Sequence, residues 1–179
     1  MQILSIDEVR EIQIEMLEYL EKKCIENNLR YYLAYGTLLG AVRHQGYIPW
    51  DDDIDVLIPR VDYEIFLKVM EKDTHSYIKA VHLDNCKHYL GPYAMLINTN
   101  TGMSHDIVRK EYIDNLGVYI DIFPMDGRPE GKELSEMLKK HKRLKILNSL
   151  LVYKNPGSSS IFKSLQKKIG IPILRLYGQ

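Results

Sequence analysis

One stretch constrains this chain more than any other: Pro49-Trp50-Asp51-Asp52-Asp53-Ile54-Asp55-Val56, continuing through Leu57-Ile58-Pro59. From Asp51 the residue type alternates, with Ile54, Val56 and Ile58 on one side and Asp51, Asp53 and Asp55 on the other. That period of two belongs to a β-strand, whose successive side chains point to opposite faces. The apolar face needs a covering layer, and the acidic face must stay wet. Three carboxylates on one strand face repel each other unless a cation offsets them. The pattern predicts a strand with core on one side and a cation-binding face on the other, and it puts Asp52 on the opposite face, where it orders the local backbone.

The flanking segments supply the covering layer. Ile6, Val9, Ile12 or Gln13, Met16, Leu20 and Cys24 recur every three to four residues, which predicts an amphipathic helix over 6–27. Asp7 suits the start of its dipole. Residues 30–35 read as a strand stopping at Gly36, 37–44 as a short helix broken by Gln45-Gly46, and 62–70 as a helix on Tyr63, Phe66, Leu67 and Met70. Further strands are expected over 77–82, 93–97 and 118–123. The last sets Val118, Ile120 and Ile122 on one face and Asp121 on the other. A long helix follows over 131–153. The order of elements indicates an α+β domain with a small mixed sheet flanked by helices.

Residues 155–160, Asn-Pro-Gly-Ser-Ser-Ser, form the best linker. The expected division is a catalytic domain over 1–154 and a basic, apolar helical extension over 155–179. At 179 residues the chain suits a single core, and its 24 basic residues balance 24 acidic ones. No global field favours nucleic acid, so an anionic substrate must be held locally. Cys24 and Cys86 are isolated and read as reduced core thiols, and the N-terminal stretch lacks the basic and apolar blocks of a signal peptide. No segment has the roughly 18 consecutive apolar residues of a membrane span. A cytoplasmic protein is expected, with residues 155–179 a candidate for peripheral contact at the inner membrane face.

Asp53 and Asp55, at i and i+2 on one face, can serve one hard cation, and Mg²⁺ takes one or two carboxylates plus phosphate oxygens. A third acid from a neighbouring strand allows two ions about 3.5–4 Å apart, and Asp121 is the natural candidate. Mn²⁺ would suit the same oxygen donors, and Asp51 can assist. A solvated acidic loop is the plain alternative. A calcium EF-hand fails, because Val56 and Asp62 stand where that loop requires Gly and prefers Glu. The DxD of sugar-nucleotide glycosyltransferases also binds a divalent ion, and DxD alone does not discriminate.

Upstream lies Tyr35-Gly36-Thr37-Leu38-Leu39-Gly40-Ala41-Val42-Arg43-His44. Gly36 allows close approach to a phosphate, and the amides opening the following helix form an anion site. The plain alternatives are that Gly36 ends a strand and that Gly40 admits close packing. Arg43 and His44 are candidates for phosphate contact or for a solvated helix end.

The run GTLLGAVRHQGYIPWDDDIDV resembles the LicD family of phosphorylcholine transferases, related to the fukutin group within the nucleotidyltransferase fold. The likeness continues through Arg60-Val61-Asp62-Tyr63-Glu64-Ile65-Phe66, similar to R-x-D-Y-x-x-F, and through Asp121-Ile122-Phe123-Pro124-Met125-Asp126, similar to DIFPLD. It spans about residues 10–130. The resemblance implies a phosphate-facing turn at Gly36 and Thr37, metal binding by Asp53 and Asp55, a third carboxylate at Asp121, and Arg60 among the substrate-facing residues. It implies Mg²⁺-dependent transfer of phosphocholine from CDP-choline to a glycan or lipid-linked glycan acceptor, in lipopolysaccharide or teichoic acid modification. The rival readings are nucleotidyl transfer from an NTP to a small alcohol phosphate or sugar, and a catalytically silent metal-nucleotide binder. One departure stands out: where the family carries K-h-R-D, this chain has Met95-Leu96-Ile97-Asn98, removing cations expected near a diphosphate. Family members usually run longer, so an acceptor-binding part is expected outside these residues.

Overall fold

In the computed structural model, which describes residues 3–74, 77–86, 89, 91–102 and 116–152, and only the backbone of 144–152, the first helix opens with a reciprocal cap. The Glu8 amide donates to Ser5 Oγ (3.3 Å), and the Ser5 amide donates to Glu8 Oε2 (2.7 Å). This capping box satisfies two otherwise orphaned donors and starts α1, Ile6–Glu26. Asn28, at φ 53°, turns the chain away after it. The elements that follow are β1 (Tyr32–Leu33), α2 (Tyr35–His44), β2 (Asp55–Pro59), α3 (Arg60–Lys72), β3 (Ile78–Val81), β4 (Ala94–Asn98), β5 (Tyr119–Met125) and α4 (Gly131–Val152).

The chain divides into two compact units, Met1–Asp126 and Gly127–Gln179. The second contains α4, close to its expected span. The expected linker at 155–160 and the extension at 155–179 lie outside the described residues.

In the first unit the strands form one sheet, ordered β1-β2-β5-β4-β3. β2 and β5 run parallel, while β1 with β2, β5 with β4 and β4 with β3 are antiparallel. This is the small mixed sheet of an α+β domain. Val56, Ile58, Ile120, Ile122 and Leu96 turn one sheet face toward Met16, Leu20 and Cys24 of α1 and Phe66, Leu67 and Met70 of α3. Complete burial of such side chains is worth about 1.5–3 kcal/mol each, which makes this layer the main driving force of the unit. Arg30 Nε donates to Asp62 Oδ2 at 2.7 Å, tying the approach to β1 onto α3. Val81, Tyr89, Met95, Ile97 and Leu116 form a smaller cluster. Among the described residues no helix is long and apolar enough to cross a membrane.

The strand expected over 30–35 is only Tyr32–Leu33, and two further differences in boundary bear on the site. β2 begins at Asp55 rather than Asp51, because the Asp51 amide donates back to Ile48 O (2.9 Å) and the chain is still leaving a turn. Gly36 lies within the first turn of α2 rather than ahead of it, since the Leu38 amide already donates to Ala34 O (2.9 Å).

Candidate active site

The register between the parallel strands sets the site. Asp55 of β2 pairs with Asp121 of β5, so the two acids stand side by side on the sheet face opposite the α1 and α3 layer. Ile54, Val56, Ile120 and Ile122 alternate with them into the core. The loop entering β2 brings further acids. Asp51, Asp52 and Asp53 each offer a carboxylate oxygen within 4.8 Å of the others. Asp52 therefore sits with its neighbours, contrary to the expectation that it faces away. Alternation holds only along a pleated strand, and this segment has not yet joined the sheet.

The electrostatics agree with that crowding. Burial, and then the neighbouring Asp53 and Asp51 charges, push the Asp55 carboxyl up to about 6. Asp53 is raised by the same causes, burial first and the Asp51 charge next. Like charges gathered in a partly desolvated place favour the proton, or any cation that replaces it.

α2 presses on this cluster. Thr37 Oγ1 accepts the Asp55 backbone N–H at 2.8 Å, fixing where β2 starts. A Cβ on Gly36 would collide with the Asp51 carboxylate, so only glycine leaves that carboxylate its place. Arg43 and His44 are exposed in the last turn of α2, about 10 Å along the helix from Gly36. Arg60 opens α3 beyond the far end of β2, about 17 Å of strand from Asp55. Its guanidinium forks onto Asp126 (2.6 and 2.7 Å) and reaches Glu64 (3.2 Å). The structure thus brings Gly36, Thr37, Asp51, Asp53, Asp55 and Asp121 together and leaves Arg43, His44 and Arg60 apart from them.

Two residues of α1 hold the acidic loop by its backbone. Arg10 Nη2 donates to Asp51 O (2.6 Å) and Pro49 O (3.0 Å), and its Nε also reaches Asp51 O (3.2 Å). Gln13 Nε2 donates to Asp52 O (3.0 Å) and to Tyr119 O (3.2 Å), linking the loop to the strand that carries Asp121. Neither stands among the expected site residues. The available signal was a glutamine at an apolar position of α1, now 4% exposed. Arg10→Ala should cost about 1.5–3 kcal/mol in urea unfolding, the usual worth of hydrogen bonds from a charged donor. Arg10→Lys should recover little, because an ammonium cannot reproduce the planar fork. A cost under about 0.5 kcal/mol, the ordinary surface value, would mean the loop holds itself.

On the β4 side, the residue in register with Asp121 is Met95, 1% exposed, and Ile97 is equally buried. The departure from K-h-R-D therefore places apolar core beside the acids.

A family model described as LicD/FKTN/FKRP, nucleotidyltransferase domain, matches residues 28–154. The chain belongs to the LicD family. The match begins after α1, so the Arg10 and Gln13 clamp lies outside it. Among LicD relatives, the chain is 35% identical over 148 residues to the lipopolysaccharide cholinephosphotransferase LicD of Haemophilus influenzae, covering 82% of this chain and 54% of that one. It is 29% identical over 106 residues to the ribitol 5-phosphate transferase FKRP of Mus musculus, covering 56% of this chain and 17% of that one. The chain thus spans about half the length of the bacterial relative and less of the mouse one.

Proposed function

We propose that this LicD-family chain transfers a phospho-alcohol group, phosphocholine by likeness to the Haemophilus protein, from a CDP-alcohol to a sugar hydroxyl of a cell-surface glycan precursor. The observation that carries the reading is the pairing of Asp55 with Asp121 beside the Asp51, Asp52 and Asp53 cluster. An all-oxygen, multiply anionic donor set fits a hard divalent cation such as Mg²⁺, with Mn²⁺ as a substitute. Asp53, Asp55 and Asp121 would hold it, with Asp51 assisting. When bound, it neutralises diphosphate charge.

The residues of this chain do the rest. Asp121 takes the proton of the acceptor hydroxyl as its oxygen bonds to the phosphorus bearing the alcohol. The bond from that phosphorus to the bridging oxygen breaks, and CMP leaves. Thr37, through the Asp55 amide, and Arg10 and Gln13, through the loop carbonyls, keep the acids in place. Such pre-set geometry is the main resource of phosphoryl transfer, which asks little covalent chemistry of the protein. The acceptor is a glycan or lipid-linked glycan, the work is done on the cytoplasmic side, and the expected membrane contact belongs to residues 155–179.

A panel of CDP-choline, CDP-ethanolamine, CDP-glycerol and CDP-ribitol with Mg²⁺, followed by CMP release, tests the reading. Release from CDP-choline above the others is expected. Substrate-dependent pyrophosphate from CTP, with no CMP from any CDP-alcohol, would transfer the site to nucleotidyl chemistry.

A pH dependence follows from Asp55. Its folded pKa, about 6, exceeds the ordinary 3.8, so its stabilising contribution is complete below 3.8 and lost as pH rises through about 6. Cation binding must displace that proton. Added Mg²⁺ should raise the melting temperature clearly at pH 7.5 and much less at pH 5, by scanning fluorimetry. Equal increments at both values would place the cation elsewhere.

A further inference from the structure

One strand step from the acids lies a row of rings that the proposed chemistry has not used. Phe123 follows Asp121 by two residues on β5 and shares its face. The Tyr93 ring lies 4.4 Å from it between centroids, tilted 40°. Tyr35, at the start of α2, meets Phe123 edge-on at 5.5 Å and 89°. Tyr89 backs Tyr93 at 6.5 Å, within the smaller apolar cluster. The row is therefore anchored in core at one end and open at the other, where Tyr35 is 65% exposed.

Tyr35 is also held at φ 42°, a backbone region in which a bulky aromatic residue is a genuine outlier. Burial cannot account for that conformation, because the ring remains largely in solvent. Such local strain persists where surrounding structure imposes it, and it clusters at ligand sites. Its result here is concrete: Tyr35 and Phe123 stand as two perpendicular walls beside a carboxylate cluster.

We propose that Tyr35, Phe123 and Tyr93 form the subsite that reads the head group of the transferred alcohol, and that they select a quaternary ammonium. The inference rests on the reading that a CDP-alcohol diphosphate occupies the acid cluster. Two residues of strand separate the acid row from the ring row by about 7 Å. An ethylene-linked phosphate and ammonium can bridge such a step, with the phosphate at the acids and the methylated nitrogen at the rings. A quaternary nitrogen has no N–H to donate, so ring faces are its natural partners, and the acids nearby complement its charge. A polyol head group would need hydrogen-bond partners that ring faces do not supply.

The test measures affinities of CDP-choline, CDP-glycerol and CDP for the chain in Mg²⁺, through the fluorescence of Trp50. That residue is the single tryptophan, 81% exposed in the turn before the acids. CDP-choline should bind about three- to tenfold more tightly than CDP-glycerol, the range of an exposed to partly desolvated cation–π contact. Tyr35→Leu, which keeps apolar bulk at an exposed position and removes the ring, should bring that ratio to about one. Tyr35→Phe should preserve it. If all three ligands weaken together with the ratio intact, the rings stack on the cytosine and the inference fails. If CDP binds, is lost on Asp55→Asn and gains nothing from choline, the head-group subsite is wrong while the donor reading stands. If CDP and CDP-choline both fail to bind, the donor reading fails and the subsite falls with it.

Discussion

Asp55→Asn should lower CMP release from CDP-choline by at least about a hundredfold while leaving the fold intact, because it removes one fixed charge from a preorganised site. The amide is nearly isosteric, and the hydrogen bond that places residue 55 runs from its backbone N–H to Thr37 Oγ1, so β2 keeps its start. What disappears is a carboxylate held against burial and against the charges of Asp53 and Asp51. At pH above about 6 the carboxyl is charged, and that charge is unfavourable to the cation-free fold. The variant should therefore melt at a higher temperature than the parent at pH 7.5 without Mg²⁺, and should lose most of the Mg²⁺-induced increment. Activity lost together with a fall in melting temperature would mark Asp55 as a structural residue.

Gly36→Ala should separate geometry from stability at the same place. Gly36 lies in the first turn of α2 with a φ that is not positive, so alanine is acceptable to the helix and favoured by about 0.5–1 kcal/mol. The added methyl, however, occupies the position of the Asp51 carboxylate. Asp51 must swing aside, and the oxygens gathered within 4.8 Å across Asp51, Asp52 and Asp53 disperse. A displacement of about an ångström at a reacting centre can cost on the order of a hundredfold in rate, so turnover and Mg²⁺ affinity should fall together with melting unchanged or slightly higher. Gly40→Ala would behave differently. Its Cβ would lie 2.5 Å from Gly46 O and 3.2 Å from Ile48 N, backbone atoms that yield only by moving the loop, so stability should fall as well. Wild-type turnover in Gly36→Ala would mean that the Asp51 carboxylate plays no part in the site.

Where local pattern determines structure, the sequence was readable. Met16, Leu20 and Cys24 recur at four-residue spacing, and α1 runs Ile6–Glu26 against an expected 6–27. Ile120 and Ile122 flank Asp121, and β5 carries that acid on the face opposite the helices as alternation requires. The acids themselves were legible for the same reason, since a carboxylate opposed by isoleucines announces a strand with two unlike faces.

Long-range partners were not legible. The turn that keeps Asp51 out of β2 closes on Ile48 O, and Arg10, 41 residues earlier, takes the Pro49 and Asp51 carbonyls, which nothing in the local run shows. Asp52 was misplaced for that reason. The parallel register joining Asp55 to Asp121 crosses 66 residues, and proximity in the motif could suggest the partnership but not the pairing. Arg60 shows the same limit in reverse. A cation beside a substrate motif invites a phosphate, and its fork onto Asp126 appears only when β2 and β5 are laid side by side. The ring row leaves no local pattern, because Tyr35, Tyr93 and Phe123 come from three separate segments.

In the proposed reaction the phosphorus bearing the alcohol, and not the one bearing the nucleoside, is attacked. Slow turnover of CDP-choline in ¹⁸O-water tests it directly, because water then stands in for the acceptor hydroxyl and both products can be weighed. Expected are the heavy oxygen in phosphocholine, unlabelled CMP, and loss of both products in Asp55→Asn. Heavy oxygen in CMP, with unlabelled phosphocholine, would show attack at the nucleoside phosphorus and rule out transfer of the phospho-alcohol.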